Sequence, residues 1–234
     1  NLNFNKMNFV HLGACIGDWD KKDINRCGFT EFIKKNSNKN DKIYLIEANP
    51  KNIKKLKESY KNFKNAKIIN IAISEKKDKN ISFFYTEDDA PYYMVCSSKI
   101  EHVKKHYPNS YIERFEIKTI SINDLLNYYV KNNTIEFLSI DLEGIDYETL
   151  MAIDLNKYNI LNISIEHLHL NTNQKKEIVK YLSKYGYSYC GFGYDLNNFD
   201  YLFKKKKILI NRLISKFLWA ISKKHLHILN YFIL

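Results

Sequence analysis

The sequence predicts an α/β domain built on a mainly parallel sheet, and three segments predict it. Val10-His11-Leu12-Gly13-Ala14-Cys15-Ile16-Gly17-Asp18 and Phe137-Leu138-Ser139-Ile140-Asp141-Leu142-Glu143-Gly144 are apolar runs that end in small and polar residues. Between them, Lys42-Ile43-Tyr44-Leu45-Ile46-Glu47-Ala48-Asn49-Pro50 is a third, and it ends in a carboxylate. Strands buried on both faces read as continuous apolar stretches, and such sheets place ligands beyond the carboxyl ends of their strands. A glycine turn after one strand and an acid after the next suit a ligand with a ribose.

The elements follow in order. Residues 9–14 read as a short buried strand, and a polar, helix-forming stretch extends to about Lys35. Residues 43–48 are a second strand, and Pro50 fits the first position of a helix running through Lys61. Ala66–Ile73 is a third apolar run, Ile81–Tyr85 an extra strand, and Ala90–His106 a loop leading into a basic helix. Phe115–Ile120 is extended, and Ser121 caps a helix through about Val130. Ile135–Ile140 is the next main strand, with a short helix after Glu143. Ile160–Glu166 follows as a strand and Gln174–Tyr185 as an amphipathic helix ending at Gly186. Tyr187–Gly191 and Tyr201–Lys205 close the domain as a hairpin.

Length and charge divide the chain in two. The 234 residues suffice for one domain with a proper core, residues 1–205, and a short appendage, residues 206–234. The formal charge is +11, and no acid follows Asp200. Eight basic residues lie from Lys204 onward; subtracting them leaves +3 for residues 1–203. The body is therefore close to neutral, which argues against a nucleic-acid groove and points to an anionic partner for the C-terminus.

In that tail Ile210, Leu213, Ile214, Phe217, Leu218 and Ile221 recur at helical spacing, opposite Arg212 and Lys216. Charges interrupt it, so it lacks the run of a spanning helix. It fits peripheral contact with a membrane, another subunit or the body of the chain. The four cysteines, Cys15, Cys27, Cys96 and Cys190, form no C-x-x-C pair. They read as reduced thiols of a cytoplasmic protein, held in part to the inner face of a membrane. No secretory signal is visible, and the chain opens on Asn1, so a segment could precede it.

Gly13-x-x-x-Gly17 is not the G-x-G-x-x-G of dinucleotide enzymes. Its small residues let a backbone approach a ligand closely, and Glu47 can accept both ribose hydroxyl hydrogens. Together with Ala72-Ile73-Ser74, Lys118-Thr119-Ile120-Ser121-Ile122-Asn123-Asp124-Leu125 and Ile140-Asp141-Leu142-Glu143-Gly144, these segments resemble, in order, FkbM-type S-adenosylmethionine-dependent methyltransferases. Asp200-Tyr201-Leu202-Phe203 resembles the last strand of that family, and the resemblance covers roughly residues 7–205.

The resemblance implies a Rossmann-like class I methyltransferase fold, with a seven-stranded sheet, and O-methylation of a sugar, polyketide or similar metabolite. Carried over by position, Gly13, Ala14, Gly17 and Ala48 would line the cofactor and Glu47 would hold its ribose. His11 departs from the family, standing where an acid is common.

Methyl transfer needs a donor held in line with an oxygen and a group to remove the hydroxyl proton. Asp141, Glu166, His167 and His169 lie at the ends of the fourth and fifth strands as candidates. Asp141 and Glu166 with a histidine could hold Mg²⁺, or His167 or His169 is the base without a metal. Strand alternation would place both histidines on one face. Glu143 reads as a helix cap that positions the loop, and Asp88–Lys105 as a segment covering the substrate or a structural insertion. The acceptor expected is a hydroxyl on a small molecule, glycan or glycolipid. A nicotinamide-dependent oxidoreductase, or a protein of this fold without catalysis, are the rival readings.

Overall fold

The computed structural model describes residues 6–17, 27–75, 79–131, 134–194 and 198–206. The amphipathic helix expected beyond Lys206 lies outside these residues, as does Asp18.

Seven strands form one sheet: β1 (Asn8–Leu12), β2 (Lys42–Glu47), β3 (Ala66–Asn70), β7 (Ile135–Ile140), β8 (Ile160–Glu166), β9 (Tyr187–Phe192) and β10 (Asp200–Lys205). Their order is β3-β2-β1-β7-β8-β10-β9. β1 pairs in parallel with both β2 and β7, and β7 with β8, whereas β10 runs antiparallel to both β8 and β9. The expected mainly parallel seven-stranded sheet closed by a hairpin is thus the one observed. The order reverses between β1 and β7, which is where sheets of this kind open a crevice for ligands.

Alternation along β1 sends Val10 and Leu12 to one face and Phe9 to the other. On the first face the core continues through α4 (Ile122–Leu125), α5 (Asp146–Ala152) and α6 (Thr172–Lys184), with Leu125, Leu150, Ile178 and Leu182 fully buried. On the second, Phe29, Phe32 and Ile33 of α1 (Gly28–Asn36) and Leu56 of α2 (Ile53–Ser59) cover Ile43, Leu45 and Phe137. Phe32 stacks on Phe137 with ring centroids 4.3 Å apart. Burial of each such side chain contributes about 1.5–3 kcal/mol. Asn171 caps α6 with a reciprocal pair of bonds to Gln174, as the amphipathic pattern there requires.

Three expectations need correction. Pro50 is not the first helical residue; Asn49 accepts from the Lys51 N–H and α2 starts at Ile53. The run Ala66–Ile73 is two strands, because β4 (Ala72–Ile73) leaves the main sheet. It pairs instead with β6 (Glu113–Ile120), which also carries β5 (Asn80–Tyr85), so a second, three-stranded sheet stands beside the first. The helix after Ser121 keeps its cap, the Ser121 hydroxyl accepting from the Asp124 N–H, but widens into a π turn over Leu126–Val130. Between β5 and β6, α3 (Ile100–His106) and the segment before it fold across the carboxyl ends of the main strands.

Candidate active site

A cavity of about 380 Å³ opens at the reversal point, in the size range of small-molecule sites. Its floor is the turn after β1. Gly13 and Ala14 N–H groups both donate to the Ile46 carbonyl at 2.9 Å, which ties this turn to β2. Gly13 has φ +77°, and a Cβ there would stand 1.6 Å from the Asp141 carbonyl oxygen. Its smallness therefore serves first the close approach of β1 and β7. Gly17 serves α2 likewise, since a Cβ would meet the Tyr60 ring at 2.6 Å. Both glycines, with Ala14 and Ala48, line the cavity.

Glu47 ends β2 inside the cavity wall, and its two oxygens accept from the N–H groups of Cys15 and Asn49, each at 2.7 Å. Burial pushes its pKa up to about 7, against the lowering by those two bonds. His11, beside it on β1, is buried against Phe29 with ring centroids 4.7 Å apart. Burial lowers its pKa to about 3, so the imidazole stays neutral, and Nδ1 has no partner among the described residues.

Asp141 ends β7 and Glu166 ends β8, and both line the cavity as their strand positions predict. Burial, then the charges of Glu166 and Glu143, raise the Asp141 pKa well above the usual carboxylate range. Burial likewise raises Glu166. Asp141, Asp146 and Glu166 bring carboxylate oxygens within 4.8 Å of one another. Asp146, however, accepts from the N–H groups of Leu142 at 2.6 Å and Gly144 at 3.1 Å. It is Asp146, and not Glu143 as the sequence reading has it, that fastens this turn.

Glu143 instead faces the cavity, in a left-handed conformation with φ +51°. Its carboxylate lies 2.8 Å from His102 Nε2 and 3.3 Å from His169 Nε2. Burial works to raise its pKa, but the hydrogen bonds from the two imidazoles outweigh it and hold the group low. His169 also meets Glu166 at 3.3 Å; the bonds to Glu143 and Glu166 raise its pKa to about 10, so it is an imidazolium at neutral pH.

The two histidines do not share a face. The strand ends at Glu166, and alternation ends with it. His167 turns outward, stacked on Tyr201 with ring centroids 4.0 Å apart and its Nε2 against the Asn198 carbonyl at 3.0 Å. It does not line the cavity. His169 lines the cavity but carries its proton.

Residues 93–96 and His106 supply the opposite wall. The Cys15 thiol donates to the Tyr92 carbonyl at 3.3 Å, and the Ser97 hydroxyl to that of Glu143 at 2.8 Å, fastening this segment over the strand ends. Asp200 reaches the cavity because β10 runs backwards, and it accepts from the Ser164 hydroxyl at 2.8 Å. Sequence reasoning missed His102, His106 and Asp200. The i, i+4 spacing of His102 and His106 on a helix is the signal that could have found the first two.

A parallel sheet with a reversed last strand, a glycine turn after β1 and an acid ending β2 define a Rossmann-like methyltransferase. The chain belongs to the methyltransferase FkbM domain family, whose model matches residues 11–189. Among solved structures, a precorrin-6Y C5,15-methyltransferase from Geobacter metallireducens GS-15 is similar at 12% identity, covering 80% of this chain, with TM-score 0.38. Aeropyrum pernix fibrillarin, with natively bound S-adenosyl-L-methionine, is similar at 11% identity over 86% of this chain, with TM-score 0.42. Each alignment spans 66% of the other protein, just under two thirds. No curated protein sequence matches the chain. S-adenosylmethionine-dependent methyl transfer is the activity of the family.

Proposed function

We propose that the chain methylates a hydroxyl of an uncharged sugar, glycan or related metabolite, with S-adenosylmethionine as donor. The observation that carries this reading is the charge of the cavity wall. Five carboxyl groups, those of Glu47, Asp141, Glu143, Glu166 and Asp200, line it against the imidazolium of His169, and no Lys or Arg among the described residues does. Such a wall favours a sulfonium cation and disfavours the pyrophosphate of a nicotinamide dinucleotide or the phosphate of a phosphorylated acceptor. Carboxylates accept from hydroxyls, and the rings of Phe83, Tyr93 and Phe199 offer faces to a pyranose.

S-adenosylmethionine supplies a methyl carbon on sulfur, activated for in-line displacement. Glu47 holds the ribose hydroxyls beside the turn of Gly13 and Ala14. Asp141, at the reversal point, receives the proton from the acceptor oxygen when it is ionised, and its raised pKa makes that carboxylate a stronger base; the segment 93–96 excludes water. His169, already protonated, orients Glu143 and Glu166 rather than serving as base. No step in this reading needs Mg²⁺: Asp146 already accepts from two amides, and Glu166 Oε1 meets His169 while its Oε2 has no partner among the described residues. The basic tail after Asp200 is proposed to keep the enzyme at anionic lipid, near membrane-linked acceptors.

Calorimetric titration with S-adenosylhomocysteine, with NADH as control, tests the donor. Micromolar binding of the first alone supports the reading, and an acceptor screen of free sugars, nucleotide-sugars and glycolipids then separates neutral from phosphorylated substrates. Preference for NADH would overturn it. Flotation of the full chain with anionic liposomes, against a truncation after Lys206, tests the tail; equal flotation removes it from the proposal.

A further inference from the structure

We propose that His102, His106 and His169, together with Glu143, form a binding site for a divalent first-row transition metal of the zinc kind at the rim of the cavity. The inference stands on side-chain placement and is independent of the methyl acceptor. Ring nitrogens of the three histidines lie within 4.8 Å of one another, and the ring centroids are 4.5 to 5.8 Å apart. Two come from one helix, four residues apart, and the third from the turn after β8. Imidazole is the donor that zinc, nickel, copper and iron select, and it is a poor one for Mg²⁺.

The spacing fits an ion of that class. A tetrahedral ion with arms of about 2.0–2.1 Å holds its ligand atoms roughly 3.3–3.4 Å apart. His169 Nε2 stands 3.3 Å from Glu143 Oε2, inside that range, while His102 Nε2 stands 2.8 Å from the same oxygen, a hydrogen-bond distance that must open by about half an ångström to admit the ion. The remaining imidazole, His106, is on the exposed end of α3, with a ring nitrogen within 4.8 Å of the other two. Glu143 meets two of the imidazoles, and an ion bound among the three would displace the proton that His169 carries in the free protein.

The outer partners are in place as well. The Glu143 carbonyl accepts from the Ser97 hydroxyl, and the Gly144 carbonyl from Lys99 Nζ, so the turn carrying the carboxylate is fixed from α3's side. The left-handed backbone at Glu143 is held where the carboxylate meets the imidazoles. A bound ion would clasp α3 to the turns after β7 and β8 and so pin the covering segment over the cavity.

The full chain, stripped with a chelator and dialysed, is titrated with Zn²⁺ by calorimetry and with Co²⁺ by visible absorption. One saturable equivalent, with the intense d–d bands of four-coordinate Co²⁺, is expected. The double variant His102→Gln, His169→Gln should bind at least about a hundredfold more weakly, beyond the cost of losing an outer partner alone. Should that variant unfold, His106→Gln, on the exposed helix end, should still lower affinity at least about tenfold with unchanged circular dichroism. Folded wild-type chain without saturable binding at about 0.1 mM metal, or affinity undiminished in the histidine variants and lost in Cys96→Ser, would overturn the proposal.

Discussion

Lowering the pH from 8 to 6 should weaken binding of S-adenosylhomocysteine about tenfold, and Glu47 sets that figure. Its pKa stands at about 7, because burial outweighs the hydrogen bonds from the Cys15 and Asn49 N–H groups. Glu143 is the charged neighbour that adds to the rise. A ribose that donates two hydroxyls binds the ionised carboxylate. The ionised fraction is about nine-tenths at pH 8 and about one-tenth at pH 6, so apparent affinity falls in that ratio and is flat above pH 8.

Stability of the free protein runs the opposite way. Between pH 4.5 and 7 the folded chain holds a proton on Glu47 that the unfolded chain has released, so this contribution is full below 4.5 and is lost as pH rises through 7. The magnitude is on the order of 3 kcal/mol. Asp146, raised to about 7 by burial, adds to the stability slope in the same window. Calorimetry across pH 6–8 on the wild type and on Glu47→Gln separates the effects, since the variant should lose the binding slope and keep the part due to Asp146. Equal affinity at pH 6 and 8, or an undiminished slope in Glu47→Gln, would refute the ribose assignment.

Other substitutions probe the remaining parts of the site. Gly13→Ala should cost more than about 3 kcal/mol in urea denaturation, a left-handed penalty of about 1–2 kcal/mol plus a clash with the Asp141 backbone that no rotamer relieves. Asp141→Asn should lower kcat for methyl transfer about 10²- to 10⁴-fold while S-adenosylhomocysteine still binds within a few-fold of wild type. His167→Ala, outside the cavity, should leave KM and kcat within about threefold; its cost should show as a lower melting temperature, from the lost stacking on Tyr201.

The main strands and the acids at their ends were legible because buried parallel strands leave a plain mark, an apolar run that stops at a polar residue. Glu47, Asp141 and Glu166 could be placed at one edge of the sheet on that ground alone. The second sheet was not legible: Ala66–Ile73 is one apolar run in the sequence, and only pairing with β6 shows that Ala72 and Ile73 have left. Alternation carried past Glu166 predicts one face for His167 and His169, but the ladder ends at that residue and the two rings diverge. The turn-fastening role expected of Glu143 falls to Asp146, since two acids three residues apart on a turn look alike until their amide partners are known. His106 and Asp200 reach the cavity through a crossing helix and a reversed strand; the i, i+4 pair of histidines marks the first, and nothing local marks the second.

The central position of β1 has a consequence for how the chain comes to fold. β1 leaves the ribosome well before β7, yet β7 is one of its two neighbours, so Asn8 must wait for Ile135 before its ladder closes. The second sheet and α3 are synthesised in that interval. Early contacts are therefore restricted to β1, β2 and β3, a small parallel unit with an open edge, and parallel closure across so long a stretch is slow. The edge that stays open longest is the one that becomes the crevice, so this chain should be most prone to misassociation while its catalytic half is still being made.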